Sequence, residues 1–149
     1  MKKLLTQFFV ACAVLAVGSS AAFAAGGWGD NFEKALAEAK AQKKLVLLDF
    51  TGSDWCGWCI KLHKEVFSKP EFEKYAKDNL VLVTVDFPQT KTLPAEVVAQ
   101  NDKLQKKYGI EGYPTIIVLN PEGKKVGQLG YQEGGPGPFT AKLDAMKGK

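Results

Sequence analysis

Three short, unbroken apolar runs do most to narrow what this chain can fold into: Leu45 to Phe50, Leu80 to Asp86, and Thr115 to Leu119. Runs of this length without alternation predict strands covered on both faces, which calls for helices above and below one sheet. The intervening segments supply those helices. Phe32, Ala35, Leu36 and Ala39 recur at helical spacing behind a cap at Asp30 or Asn31, after a flexible lead-in over Gly26 to Gly29. Ile60, Leu62, Val66 and Phe67 read as the buried side of a second helix. Ser68-Lys69-Pro70-Glu71 has the pattern of a capping box with an early proline, starting a further segment through Tyr75. Glu96 to Tyr108 predicts a helix stopped by Gly109, and Phe139 to Met146 a closing one. Asn120-Pro121-Glu122-Gly123 is turn chemistry, with Val126 to Leu129 as the hairpin partner of the third run. Strands alternating with helices imply parallel pairing early in the chain, and the late hairpin adds an antiparallel edge. The fold class is α/β, with a central mixed sheet of four to five strands flanked by helices.

The first 24 residues read differently. Met1-Lys2-Lys3 is a charged start, Leu4 to Val17 an apolar run, and Ala22-Phe23-Ala24 a small-residue cleavage pattern. This is the order of a secretory signal peptide, and the run falls short of the roughly 20 residues that span a bilayer. Residues 1–24 are therefore expected to be a signal peptide and 25–149 one mature domain, exported to a periplasm-like compartment. Removing Lys2 and Lys3 takes the formal charge from +4 to +2. All the basic residues are lysines scattered among acids, as in Glu33-Lys34 and Glu73-Lys74, a pattern that argues against a nucleic-acid surface.

Three cysteines occur, and Cys12 leaves with the signal. The remaining pair, Cys56-Gly57-Trp58-Cys59, follows the first strand and a Thr51-Gly52-Ser53-Asp54 turn. In an oxidising compartment such a pair forms a disulfide. A loop this small stabilises little as a staple, which points to chemistry instead. At a helix start, unpaired backbone N–H groups favour the thiolate of Cys56, so Cys56 is the expected nucleophile. Cys59, one turn on, is the expected resolving thiol. Asp49 in its apolar strand must be hydrogen-bonded or neutral; it either exchanges a proton with Cys59 or simply faces water at the strand end. His63, the only histidine, could join both cysteines in a copper or zinc site, although closed sites want four ligands. A metal-handling protein, or a docking module whose cysteines stay locked, are the alternatives to disulfide exchange.

Leu48-Asp49-Phe50, then Trp55-Cys56-Gly57-Trp58-Cys59, then Tyr108 to Thr115 with Tyr113-Pro114 stand in the order and rough spacing of the thioredoxin superfamily, which the chain resembles over about residues 30 to 147. The phrases Thr51 to Cys56 and Val66 to Pro70 are most similar to exported bacterial members, including the periplasmic domain of the transmembrane electron conductor, and the aromatic after Gly57 to disulfide isomerases. The resemblance implies a thioredoxin fold and a monomeric thiol–disulfide oxidoreductase that reduces, forms or isomerises disulfides. It implies that Pro114 is cis, and that Trp55, Gly57, Trp58, Tyr113 and Pro114 line the substrate site. It implies no cofactor or resident metal; the partners are client proteins and a redox partner such as a membrane electron conductor. Two departures bear on the proton route. The Asp49 to Cys56 interval is one residue longer than in thioredoxin, and Leu82 falls where thioredoxin has a lysine beside the acid.

Overall fold

The computed structural model describes residues 27–148; the expected signal peptide and its cleavage site lie outside them. The elements, in chain order, are β1 (Trp28–Gly29), α1 (Phe32–Gln42), β2 (Leu45–Thr51), α2 (Gly57–Leu62) running on into a π-helical turn (His63–Phe67), α3 (Pro70–Asn79), β3 (Leu80–Asp86), α4 (Ala95–Tyr108), β4 (Thr115–Leu119), β5 (Lys125–Leu129) and α5 (Pro136–Asp144). They form a five-stranded sheet in the order β1-β3-β2-β4-β5. β2 pairs parallel with β3, setting Asp49 opposite Thr84 and Thr51 opposite Asp86. β4 runs antiparallel to β2 as well as to β5, so the antiparallel part begins one strand earlier than the hairpin.

Alternation along β2 and β3 splits the core into two layers, as expected for strands buried on both faces. Leu45, Leu47, Leu80 and Leu82 join Leu62, Val66, Phe67, Phe72, Phe139 and Leu143 on the face covered by α2, α3 and α5. Val46, Leu48, Phe50, Val81, Val83 and Val85 meet Phe32, Ala35, Ala39 and Leu104 of α1 and α4 on the other. Phe50, Phe72 and Phe139 are wholly buried, and full burial of such a side chain stabilises by about 2 kcal/mol or more. Asp49 shares the α2 side, which brings its carboxyl beneath the cysteine helix.

The local signals mostly act as expected. Asn31 caps α1 by accepting the Lys34 N–H at 2.9 Å. Gly109, at φ 62°, ends α4 in the left-handed conformation that glycine adopts without a Cβ penalty. Four expectations are corrected. Ile60, expected on the buried side of the second helix, is 49% exposed, because two residues of helix turn it away from the face that Leu62 buries. Trp28–Gly29 is an edge strand on β3 at Leu82 and Val83, and Trp28 packs on Phe67 with ring centroids 5.1 Å apart. The capping box does not form: Lys69 is the N-cap of α3, and the Ser68 hydroxyl donates back to the Lys64 carbonyl at 3.3 Å. The π-helical turn places Ser68 there, its N–H bonding the His63 carbonyl five residues back at 2.9 Å. Finally, α5 starts at Pro136, three residues before the expected start, since prolines fit a helix's first turn.

Candidate active site

The turn between β2 and α2 delivers the cysteines. The Cys56 N–H donates to the Gly52 carbonyl at 2.8 Å, and Cys56 is the N-cap of α2 in extended conformation. Its sulfur accepts the Cys59 N–H at 3.2 Å. The two cysteines form a disulfide with their Cα atoms 5.2 Å apart. Cys56 is the expected nucleophile, but exposure hardly separates the two residues, at 7% and 5%. Their surroundings do separate them. Cys56 sits where the helix presents unpaired N–H groups, whereas Cys59 lines an open cleft of about 640 Å³ behind the disulfide.

Asp49 lines the same cleft and is itself 93% buried, its exposure being 7%. Among the described residues its Oδ1 has no hydrogen-bond partner. Burial first, and the negative charge of Asp86 second, push its carboxyl up to about 7. The water-facing alternative for Asp49 is therefore set aside. Leu82 lies opposite Leu47; the β3 residues that share the cleft with the acid are Thr84 and Asp86. His63, exposed at the start of the π turn, reaches the rim of this cleft.

The expected substrate-side residues fall into two aromatic groups, Trp55 with Tyr113 in one and Trp58 in the other. The Tyr113–Pro114 bond is cis. The Tyr113 ring stacks on Phe87 at 5.4 Å and meets Trp55 edge-on at 5.9 Å, while its hydroxyl accepts from Gln105 at 2.7 Å. The Trp55 indole N–H donates to the Phe87 carbonyl at 2.8 Å. Trp58 is 58% exposed and lies 5.0 Å from Tyr131, with the Lys61 ammonium over both rings at 5.1 and 4.9 Å. The Tyr131 hydroxyl donates to Glu65 at 2.7 Å. A Cβ on Gly57 would meet nothing within 4 Å apart from its chain neighbours, so this position is open.

Several residues escape sequence reasoning. Asp54 accepts from the Thr90 hydroxyl at 2.5 Å and from the N–H groups of Gln89, Thr90 and Lys91 at 2.9, 2.8 and 3.2 Å. The Thr90 hydroxyl first, then the Gln89 amide, hold its carboxyl well below the usual carboxylate range. Tyr131 and Lys61 likewise meet across 70 residues of chain. The only local trace is an Asx residue in a turn, which reports a loop but not its distant partner.

The metal-handling alternative finds no support: among the described residues no group of three or more His, Cys, Asp and Glu side chains is placed to hold an ion. Comparison with known proteins points to disulfide exchange. The thioredoxin-like domain family matches residues 32–147. The disulfide bond reductase DsbH of Chlamydia pneumoniae is 35% identical over 114 residues, covering 76% of this chain and 69% of that one. The thiol:disulfide interchange protein DsbD of Vibrio cholerae is 37% identical over 96 residues, 64% of this chain but 14% of DsbD. A solved structure of a DsbH oxidoreductase superposes with a TM-score of 0.76 at 30% identity, covering 93% of this chain and 94% of the other. The chain belongs to the thioredoxin-like family of thiol–disulfide oxidoreductases, with Cys56 and Cys59 as its redox-active pair.

Proposed function

We propose that this protein is an exported disulfide reductase in which Cys56 attacks, Cys59 resolves and Asp49 takes the Cys59 proton. The observation that carries the reading is the contrast between the two sulfurs: Cys56 at the helix N-cap accepts an N–H, and Cys59 shares a cleft with a buried carboxyl whose Oδ1 has no partner among the described residues. In the reduced protein the Cys56 thiolate attacks a client disulfide, and one client sulfur leaves as thiolate. Cys59 then gives its proton to Asp49 and attacks the Cys56 sulfur, releasing the second client sulfur. The client gains two electrons, and the protein is left with the Cys56–Cys59 disulfide. An acid tuned to about 7 suits this proton, because it can both accept and return it near neutrality.

Trp55, Gly57, Trp58, Tyr113 and Pro114 would form the docking surface for an extended client segment. The name of the DsbH relative favours reduction over oxidation or isomerisation. A membrane electron conductor is the fitting donor for an exported reductase, with the signal peptide removed after Ala24 to leave the domain at 25–149. The reduction potential of the Cys56–Cys59 pair tests the direction. Equilibration against dithiothreitol should give a value near thioredoxin's, about −270 mV. A value near −120 mV would make the protein an oxidant instead.

A further inference from the structure

The cleft behind the disulfide holds a second acid. Asp86 ends β3 opposite Thr51, which makes it the diagonal neighbour of Asp49 on the same sheet face. One Asp86 oxygen accepts the Ser53 N–H at 2.9 Å; the other accepts the Ser53 hydroxyl at 2.5 Å and lies 3.5 Å from the Lys91 ammonium. The Asp86 side chain is 10% exposed and that of Lys91 56%, so a fixed buried anion is paired with a cation at the cleft rim. Asp54, two residues before Cys56, holds the loop that carries Lys91 through the N–H groups of Gln89, Thr90 and Lys91. The turn leading into the cysteines thus positions both halves of the pair: Ser53 orients the acid, and Asp54 seats the loop of the lysine.

We propose that Asp86 and Lys91 are positioning residues that set the proton affinity of Asp49, the anion strengthening its hold on the proton and the lysine partly cancelling that effect. This rests on the reading of Asp49 as the proton acceptor of Cys59. The other titratable groups facing the cleft are Cys59 on α2, and His63 and Lys64 on the π turn. A lysine thus reaches the site from the loop after β3 and acts through a second carboxylate.

The test is a pH titration of the Asp49 side-chain carboxyl by 13C NMR in the oxidised protein. It is run in a His63→Gln background, so that imidazole protonation does not move the signal. Asp86→Asn should lower the Asp49 midpoint by about one pH unit, and Lys91→Gln should raise it by about half a unit. In the double variant the lysine substitution should change little, its partner being gone. Lys91 is at the surface, so Lys91→Gln decides the matter if Asp86→Asn does not fold. A midpoint that stays put, or falls, in Lys91→Gln overturns the proposal whatever Asp49 does for Cys59. Midpoints that move as stated support it. If they move while the pH profile of client release from Cys56 stays fixed, the coupling stands and the proton-acceptor reading of Asp49 is the part that fails.

Discussion

Asp49 is the residue where stability and chemistry pull in opposite directions. In the unfolded chain its carboxyl titrates near 3.8, and in the fold burial and Asp86 raise it to about 7. Between those values the folded protein keeps a proton that the unfolded chain has released. The contribution is therefore fully present below about pH 4, and is lost as pH rises through 7. Three pH units correspond to roughly 4 kcal/mol at most. Asp49→Asn should thus be more stable than the parent at pH 8, by up to that amount, and nearly equal to it at pH 4. Urea unfolding of both oxidised proteins at the two pH values checks this; a stability difference that does not change with pH would show that Asp49 titrates normally. The acid itself is legible in the sequence as a carboxylate inside an apolar strand. Its neighbour Asp86 is not, because a polar residue closing a strand ordinarily faces water, and only the β2–β3 register turns it inward.

The element that most directly shapes the site is the turn from Thr51 to Cys56. Its Gly52 reads in the sequence as ordinary turn chemistry, but a Cβ there would lie 2.4 Å from the Trp55 ring. The indole occupies the space that a Cβ would fill and is fixed by its bond to the Phe87 carbonyl. Gly52→Ala must displace the indole and so disturb its contacts with Phe87 and Tyr113, at a cost of about 1–3 kcal/mol. The expected outcome is a lowered melting temperature together with a red-shifted tryptophan emission and slower client reduction; unchanged stability and emission would contradict this packing. Helix starts and stops that depend on one side chain and its own backbone, such as Asn31 and Gly109, are legible in the sequence. The failed capping box at Ser68 shows the limit. The π turn of the preceding helix decides where Ser68 points, and that turn is set by packing Val66 and Phe67 into the core.

At the scale of the whole molecule, three apolar runs sufficed to indicate a sheet covered on both faces, since no other arrangement buries such strands. The edge strand at Trp28–Gly29 was hidden, because two residues carry no periodicity and pair only where β3 offers a free edge. The assembly places the cysteine helix over Asp49 on one face, and the cis Tyr113–Pro114 turn, which leads into β4, beside Trp55. The proposed exchange, with Cys56 attacking and Cys59 resolving, draws on this arrangement. Its central step can be isolated by removing the resolving thiol. Reduced Cys59→Ala, mixed with a disulfide-bonded client and analysed by intact mass spectrometry, should accumulate a covalent Cys56–client adduct that dithiothreitol releases. Cys56→Ala under the same conditions should capture far less, since its remaining sulfur faces the cleft and not the client. A folded Cys59→Ala protein that forms no reducible adduct, or equal capture by both variants, would contradict the account.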